Sequence, residues 1–131
     1  MKKRVLVADD EPLTAEMFAL MLAFTGYDVT RALDGEEALE RARQIKPDVV
    51  LLDVMMPGKQ GPDIARELRR DPAFEHKLLV LFSCVDEQEV AWREAGADAF
   101  LQKPVSLRDL PGILEELVRL KDEREQPEAT V

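Results

Sequence analysis

Cysteine, histidine and clustered basic residues are scarce in this sequence of 131 residues, and each scarcity excludes a class of protein. The single cysteine, Cys84, excludes an internal disulfide, and the single histidine, His76, excludes a zinc site built on histidines. A net charge of -9 disfavours binding to nucleic acid or to anionic lipid, because both reward clustered lysine and arginine. Because no apolar run approaches the length of a membrane span or a signal-peptide core, we expect a cytoplasmic protein.

Short apolar runs alternate with segments of helical periodicity along the chain, and the runs have the length of buried strands. They lie at residues 5–8, 27–30, 49–52, 78–82 and 99–101. Alternation of this kind predicts a parallel sheet with helices on both faces. We therefore predict one doubly wound α/β domain of five βα units over residues 1–121. Residues 122–131 lack an apolar stripe and are predicted to form an acidic solvated tail or the start of a linker.

The helical segments are defined by their apolar stripes and their capping residues. The first is predicted over residues 11–25, and its core-facing stripe is expected to be Leu13, Met17, Leu20, Met21 and Phe24. The second and third are predicted to begin at "DGEE" and at Gly61–Pro62, and the fifth after "VSLRDL".

A fourth helix is predicted from the stretch "VDEQEVAWREAG". Asp86 has the position of its cap and Glu89 that of the capping-box partner. Its inner stripe is best matched by Val90, Ala91 and Ala95. This leaves the only tryptophan, Trp92, near the edge of that stripe, where it either covers a hydrophobic border or anchors a binding partner.

Polar side chains collect where the predicted strands end. Asp9 and Asp10 follow the first strand, Asp53 the third, Ser83 the fourth and Lys103 the fifth. Open parallel sheets bind ligands outside the carboxyl ends of their strands, so these side chains are expected to converge. Three carboxylates together favour Mg²⁺, and a nearby ammonium group suits a phosphoryl anion. The pattern predicts a phosphoryl-transfer site with a carboxylate available as nucleophile.

Each of these residues also has a plainer interpretation when it is taken alone. Asp10 and Ser83 could cap the helices that follow them, and Lys103 could be a surface charge. Their joint position at four strand ends is what favours a functional site.

With these motifs, the sequence resembles a response-regulator receiver domain of two-component signalling, from about residue 3 to residue 120. The resemblance rests on "DD" at 9–10, "LLDVMMPGKQG" at 51–61, Ser83 and "FLQKP" at 100–104. Ser83 lies thirty positions after Asp53, and Lys103 twenty after Ser83, which is the family spacing. The resemblance implies a flavodoxin-like sheet of strand order 2-1-3-4-5.

The resemblance also implies roles for individual residues. Asp53 corresponds to the phosphoacceptor, and Mg²⁺ to the cofactor, held by Asp9, Asp10, Asp53 and the main-chain carbonyl of Met55. Ser83 corresponds to the switch hydroxyl, Lys103 to the counter-ion of the phosphoryl group, and Phe100 to the switch aromatic; Lys103–Pro104 would be a cis peptide.

The implied function is that of a phosphorylation-dependent switch, whose only chemistry is self-phosphorylation and slow self-dephosphorylation. A sensor histidine kinase or a histidine phosphotransfer protein would donate the phosphoryl group. A downstream target would bind the face formed by the fourth helix, the fifth strand and the fifth helix.

Four positions depart from the usual family pattern. Gln60 replaces an aspartate, an asparagine or a serine, and Ser83 replaces threonine while keeping the hydroxyl. Cys84 replaces alanine, and a small packed residue is the favoured interpretation over a redox sensor. Ala99 and the sequence "KPV" differ from the "DDY…KPF" pattern of the transcription-factor subfamily, whose receiver domains dimerise through the fourth and fifth helices. We therefore expect a monomer or a weak dimer.

Three other functions are alternatives to this one. A haloacid-dehalogenase-type phosphatase would be expected to carry a D-x-D motif, with a second acid two residues after the aspartyl nucleophile. Here Met55 stands two residues after Asp53. A nucleotide-binding module would need a glycine-rich loop after the first strand, and none is present in the sequence. The third alternative is an interaction domain that is never phosphorylated. Such a domain would not need the complete set of carboxylates, hydroxyl and ammonium group, so the presence of that set argues against it.

Overall fold

The computed structural model describes residues 2–86, 88 and 90–125 and contains one five-stranded parallel sheet. The strands are β1 (Arg4–Ala8), β2 (Asp28–Ala32), β3 (Val49–Asp53), β4 (Leu78–Ser83) and β5 (Ala99–Gln102). Their order is β2-β1-β3-β4-β5, and all four pairings are parallel. The predicted fold class and strand order are confirmed.

Four α-helices are found among the described residues, together with a short 3₁₀ helix at Pro72–Phe74. The α-helices are α1 (Pro12–Phe24), α2 (Gly35–Ile45), α3 (Gly61–Arg69) and α4 (Leu110–Glu125). None of the helices in these residues has the length and apolar character that crossing a membrane requires.

The sheet is buried on both faces, which explains why β3 is an uninterrupted apolar run up to its last residue. Val50 and Leu52 point into the core layer shared with α2 and α3. Val49 and Leu51 point into the opposite layer, shared with α1 and α4. Because β3 is the central strand, its end is held from two sides and is a rigid place for a functional side chain.

The predicted core-facing stripe of the first helix is wrong. Of the stripe residues, Leu13, Met17, Leu20 and Phe24 are exposed, whereas Ala15, Phe18 and Leu22 on the other face are buried. The buried face is fixed by packing against the sheet, where the rings of Phe18 and Phe82 lie 5.4 Å apart. Nearly every residue of α1 is apolar, so periodicity alone could not distinguish the two faces.

The predicted fourth helix is not formed in the described part of the segment between β4 and β5. Residues 92–96 make a single turn that ends at Gly96, whose φ of +95° is the left-handed conformation that glycine favours. Ala97 N–H donates to the carbonyl of Trp92 and Gly96 N–H to that of Arg93, which is the pattern of a helix C-terminus. Asp86 accepts a hydrogen bond from the N–H of Gln88, and Glu89 lies outside the described residues.

Side chains on this turn also pack differently from the prediction. Ala95 is buried as expected, but Ala91 is exposed, and the half-buried Trp92 packs against the core. The segment carries little apolar surface besides Trp92 and Val90, which leaves little to stabilise a longer helix against the sheet.

The last helix, α4, continues to Glu125, past the boundary predicted at residue 121. Lys121 is buried and pairs with Asp98 at 3.0 Å, while Glu125 pairs with His76. Asp98 also pairs with Arg69 of α3 at 2.8 Å. These contacts hold the end of α4 against the rest of the domain. Residues 126–131 lie outside the described part of the chain.

Candidate phosphoacceptor site

Three aspartates meet at the carboxyl edge of the sheet. Asp9 and Asp10 follow β1, and Asp53 is the last residue of the neighbouring strand β3. One carboxylate oxygen of each lies within 4.8 Å of the others. Asp9 and Asp53 are buried, whereas Asp10 is exposed, so the cluster opens to solvent on the side of Asp10.

The position of Asp53 is fixed by close backbone packing. Val54 N–H donates to the carbonyl of Phe82 on β4, and Gly61 N–H donates to the carbonyl of Val54. A side chain at Gly61 would place its Cβ 2.5 Å from the carbonyl oxygen of Asp53, so the loop can close this tightly only with glycine there. The sequence predicts only a helix start at Gly61, because close approach between loops leaves no periodic signal.

Lys103 reaches the cluster from the end of β5. Its Nζ lies 3.1 Å from Asp9 Oδ2 and 3.4 Å from Asp53 Oδ2, so one ammonium group bridges two carboxylates. Its main-chain N–H donates to the carbonyl of Ser83 at 2.8 Å, and the Lys103–Pro104 peptide is cis, as expected.

Ser83 is the last residue of β4. The sheet register pairs Asp53 with Phe82, so Ser83 lies one residue beyond the position opposite Asp53. The Ser83 hydroxyl oxygen accepts a hydrogen bond from Val85 N–H at 3.0 Å, and its own proton is available for donation. Phe100 is half-buried on β5, with its ring 6.5 Å from that of Trp92. Met55 lies two residues after Asp53, and its N–H donates to Asp53 Oδ1 at 3.4 Å.

Burial and the neighbouring charges together shift the pKa values of Asp53 and Lys103. Burial, reinforced by the negative charge of Asp9, raises the pKa of Asp53 from 3.8 to about 6, although Lys103 opposes the rise. Burial works against the charged form of Lys103, but its hydrogen bond to Asp9 and the charges of both acids hold the pKa of the ammonium group above its ordinary value. The metal-free site therefore carries unfavourable negative charge near neutral pH.

This charge predicts a specific pH dependence of stability for the metal-free protein. Because the native state holds the Asp53 proton more tightly than the unfolded state, the free energy of unfolding falls as pH rises from about 4 to about 6. Asp53→Asn removes this cost and should stabilise the protein at pH 7.5 by up to about 3 kcal/mol, at 1.36 kcal/mol per pH unit. Urea denaturation with a chelator present, at pH values between 4.5 and 7.5, measures the difference.

The matched control is Asp28→Asn, the same chemical change at an exposed position on β2. The stability gained by Asp53→Asn should shrink towards zero at low pH. A gain that stays constant across the range would contradict the prediction.

The donor set fits a hard divalent cation. Mg²⁺ is bound in proteins by oxygen ligands, commonly one or two carboxylates with water completing the shell. The cluster offers three carboxylates, one of them exposed to water. A cation would compensate for the burial of the Asp53 carboxylate and for its repulsion by Asp9, which together raise the pKa of Asp53.

Comparison with known proteins identifies the family. Residues 5–115 match the model of the response regulator receiver domain. The chain belongs to this family. It is 39% identical over 115 residues to a Mycobacterium tuberculosis protein described as a probable transcriptional regulatory protein, TcrX, covering 88% of this chain and 49% of TcrX. It is 36% identical over 128 residues to the DNA-binding response regulator MtrA of Mycolicibacterium smegmatis, covering 97% of this chain and 54% of MtrA.

Comparison with solved structures supports the same family assignment. The structure of the chemotaxis response regulator CheY4 of Vibrio cholerae superimposes on this receiver domain with a TM-score of 0.84 at 27% identity, covering 89% of this chain and 99% of CheY4. The receiver family is one of phosphorylation-dependent switches. The chain spans about half the length of the curated relatives it matches.

Proposed function

We propose that Asp53 is the phosphoacceptor of this receiver domain. The observation that supports this most directly is its placement: it alone of the three acids ends the central strand, and it lies beside both other carboxylates and Lys103. A carboxylate held there is presented by a rigid element to a donor arriving from solvent.

Asp9, Asp10, Asp53 and the main-chain carbonyl of Met55 would hold Mg²⁺. When bound, the ion neutralises charge that develops on the phosphoryl oxygens. Asp9 already accepts hydrogen bonds from Lys103 and from Glu11 N–H, so its carboxylate is held in a fixed orientation. Asp10 is exposed and free to complete the ligand set.

The reaction is transfer of a phosphoryl group from a phosphohistidine to Asp53. A carboxylate oxygen of Asp53 attacks phosphorus, the bond from phosphorus to the imidazole nitrogen breaks, and an acyl phosphate forms. Lys103 lies where it can pair with the transferred group. Water later hydrolyses the acyl phosphate and regenerates the carboxylate, which makes the protein a switch with slow self-dephosphorylation.

The switch runs through the segment after β4. The Ser83 hydroxyl is held by Val85 N–H, so its movement towards a phosphoryl oxygen would pull on the loop that begins at Cys84. Phe100 and Trp92 pack together behind this loop and would report its position. Phosphorylation would thereby favour one of two arrangements of the surface formed by β5, by α4 and by the described residues between β4 and β5.

The donor would be a sensor histidine kinase or a histidine phosphotransfer protein, and the target would bind that surface. Two of the relatives are named as DNA-binding or transcriptional proteins, and each is about twice the length matched here. With a net charge of -9, this chain itself is proposed to bind no nucleic acid directly.

The direct test is incubation with acetyl phosphate and Mg²⁺, followed by intact mass spectrometry. One phosphoryl adduct is expected, and it should require Mg²⁺. No adduct under conditions that phosphorylate a known receiver domain would overturn the proposal.

The fluorescence of Trp92 should report the switch. Its half-buried ring lies next to Phe100 and under the guanidinium group of Arg93, 4.5 Å from the ring centre. Adding beryllofluoride with Mg²⁺ is expected to change its emission, and Ser83→Ala should reduce the change, because the hydroxyl links the site to this segment. Identical spectra at demonstrated saturation would show that the segment does not carry the switch.

A further inference from the structure

The start of α2 packs against the loop that would help to hold Mg²⁺. Residues 54–60 join β3 to α3 without forming a helix or a strand, and they include Met55, whose carbonyl is a proposed ligand. Gly35, the first residue of α2, is buried where the two segments meet. Its N–H donates a hydrogen bond to the carbonyl of Pro57 at 3.2 Å. Backbone therefore lies directly against backbone at this point.

This close approach is possible only with glycine at position 35. A Cβ there would lie 2.0 Å from the carbonyl oxygen of Lys59 and 2.7 Å from the carbonyl carbon and the nitrogen of the same residue. All three are backbone atoms, so they cannot turn aside as the end of a flexible side chain could. Gly35 has no positive φ, so the requirement comes from the contact and not from the conformation of the residue itself. A side chain at this position would force either α2 or the loop to move.

The start of α2 is the more firmly held of the two segments. The side chain of Asp34 accepts a hydrogen bond from Glu37 N–H at 2.7 Å, and the Glu37 carboxylate accepts one from Leu33 N–H at 2.7 Å. This reciprocal pair of bonds fixes the first turn. In the next turn Ala38 and Leu39 are buried in the core. The loop is therefore expected to move when the two segments collide.

A displacement of the loop would reach Met55. The base of the loop is closed, because Gly61 N–H donates to the carbonyl of Val54 at 2.9 Å. With both ends held, a movement at Lys59 must be taken up by the backbone torsions of the residues between them. Met55 is the first of these residues, so the direction of its carbonyl depends on how the rest of the loop lies.

We propose that Gly35 is a positioning residue for the Mg²⁺ site, an inference that rests on the proposed ligand set. The absence of a side chain at the start of α2 lets the loop lie against the helix, and this contact sets the direction of the Met55 carbonyl. Gly35 itself contacts neither the metal nor the phosphoryl group. The affinity for Mg²⁺ therefore depends on a helix that contributes no ligand.

Gly35→Ala and Gly112→Ala form a matched pair of variants. Both place alanine in the first turn of a helix, but no non-neighbouring atom of the described residues lies within 4 Å of a Cβ at position 112. Isothermal titration calorimetry should show Mg²⁺ binding at least about 10-fold weaker in Gly35→Ala, the scale found for groups that orient a metal ligand. Gly112→Ala should bind Mg²⁺ as the parent does. Circular dichroism at the titration temperature establishes that both variants are folded.

Phosphorylation measured against Mg²⁺ concentration separates positioning from a general loss of structure. With acetyl phosphate as donor, Gly35→Ala should need about 10-fold more Mg²⁺ to reach half of its maximal rate. At saturating Mg²⁺ it should approach the rate of the parent, because Asp53 and Lys103 are unchanged. A variant that is only less stable would show a lower maximal rate with the same half-saturating concentration, and that result would overturn the proposal.

Asp10→Asn distinguishes failure of this proposal from failure of the proposed function. If Asp10→Asn loses Mg²⁺ binding while a folded Gly35→Ala binds as the parent does, the ligand set stands and the role of Gly35 is overturned. A parent that binds no Mg²⁺ would overturn both.

Gly58 allows the same loop to be displaced without changing α2. Its φ of +82° is in the left-handed region, and a Cβ there would make an ordinary contact with Glu36 at 3.6 Å. Gly58→Ala should therefore weaken Mg²⁺ binding, whereas Gly58→Asn should weaken it less, because asparagine tolerates this φ better. This pair tests the loop even if Gly35→Ala fails to fold. Parent affinity in Gly58→Ala would show that the loop does not set the Mg²⁺ site and would overturn the proposal.

Discussion

Asp53→Asn is expected to abolish the phosphoryl adduct that we propose the parent protein forms with acetyl phosphate and Mg²⁺. The amide has the shape of the carboxylate but lacks the anionic oxygen that attacks phosphorus. The fold should persist, because the side chain is held at the end of β3 by backbone contacts of its neighbours and not by its own charge. Intact mass spectrometry should therefore show a folded protein with no adduct.

Asp28→Asn is the control for this experiment as well, since it changes an aspartate far from the cluster and should leave the adduct at the parent level. An adduct that survives in Asp53→Asn would move the phosphoacceptor to another residue. Peptide mapping would then locate it, with Asp10 the first candidate because it is the exposed member of the cluster.

Asp10→Asn is expected to remove most of the stabilisation that Mg²⁺ gives to the protein. A ligand bound only by the native state raises the free energy of unfolding by about 2.7 kcal/mol when its concentration is a hundred times its dissociation constant. Because Asp10 supplies one of three carboxylates, its loss should weaken binding enough to reduce this shift strongly. Without metal, the same variant should be more stable than the parent, since it relieves repulsion among the acids.

Thermal unfolding with and without Mg²⁺ measures both effects. Glu11→Gln is the matched control, because Glu11 is the adjacent exposed acid and its carboxylate accepts a hydrogen bond from Thr14. It should keep the full Mg²⁺ shift. Equal shifts in Asp10→Asn and in the parent would contradict the proposed ligand set.

The sequence by itself determined the fold class and which residues share the site. Short apolar runs of the length of buried strands precede Asp9, Asp53, Ser83 and Lys103, and they alternate with segments of helical periodicity. In a parallel sheet all carboxyl ends lie at one edge, so residues distant in sequence are brought together by topology alone. That is why Lys103 could be predicted to reach Asp53 across fifty positions, and the two are 3.4 Å apart.

Where local signals were ambiguous, only the tertiary structure decided. The sequence of α1 offers two apolar stripes, and the choice between them depends on Phe18 fitting against Phe82, a residue on another element. The predicted fourth helix had sound capping signals but little apolar surface, and the described residues of that segment form only the turn that ends at Gly96. Conversely, α4 continues beyond its apolar stripe, because Lys121 is paired with Asp98 and Glu125 with His76. Periodicity and capping describe one segment at a time, whereas a helix in a folded domain is stabilised mainly by the surface against which it packs.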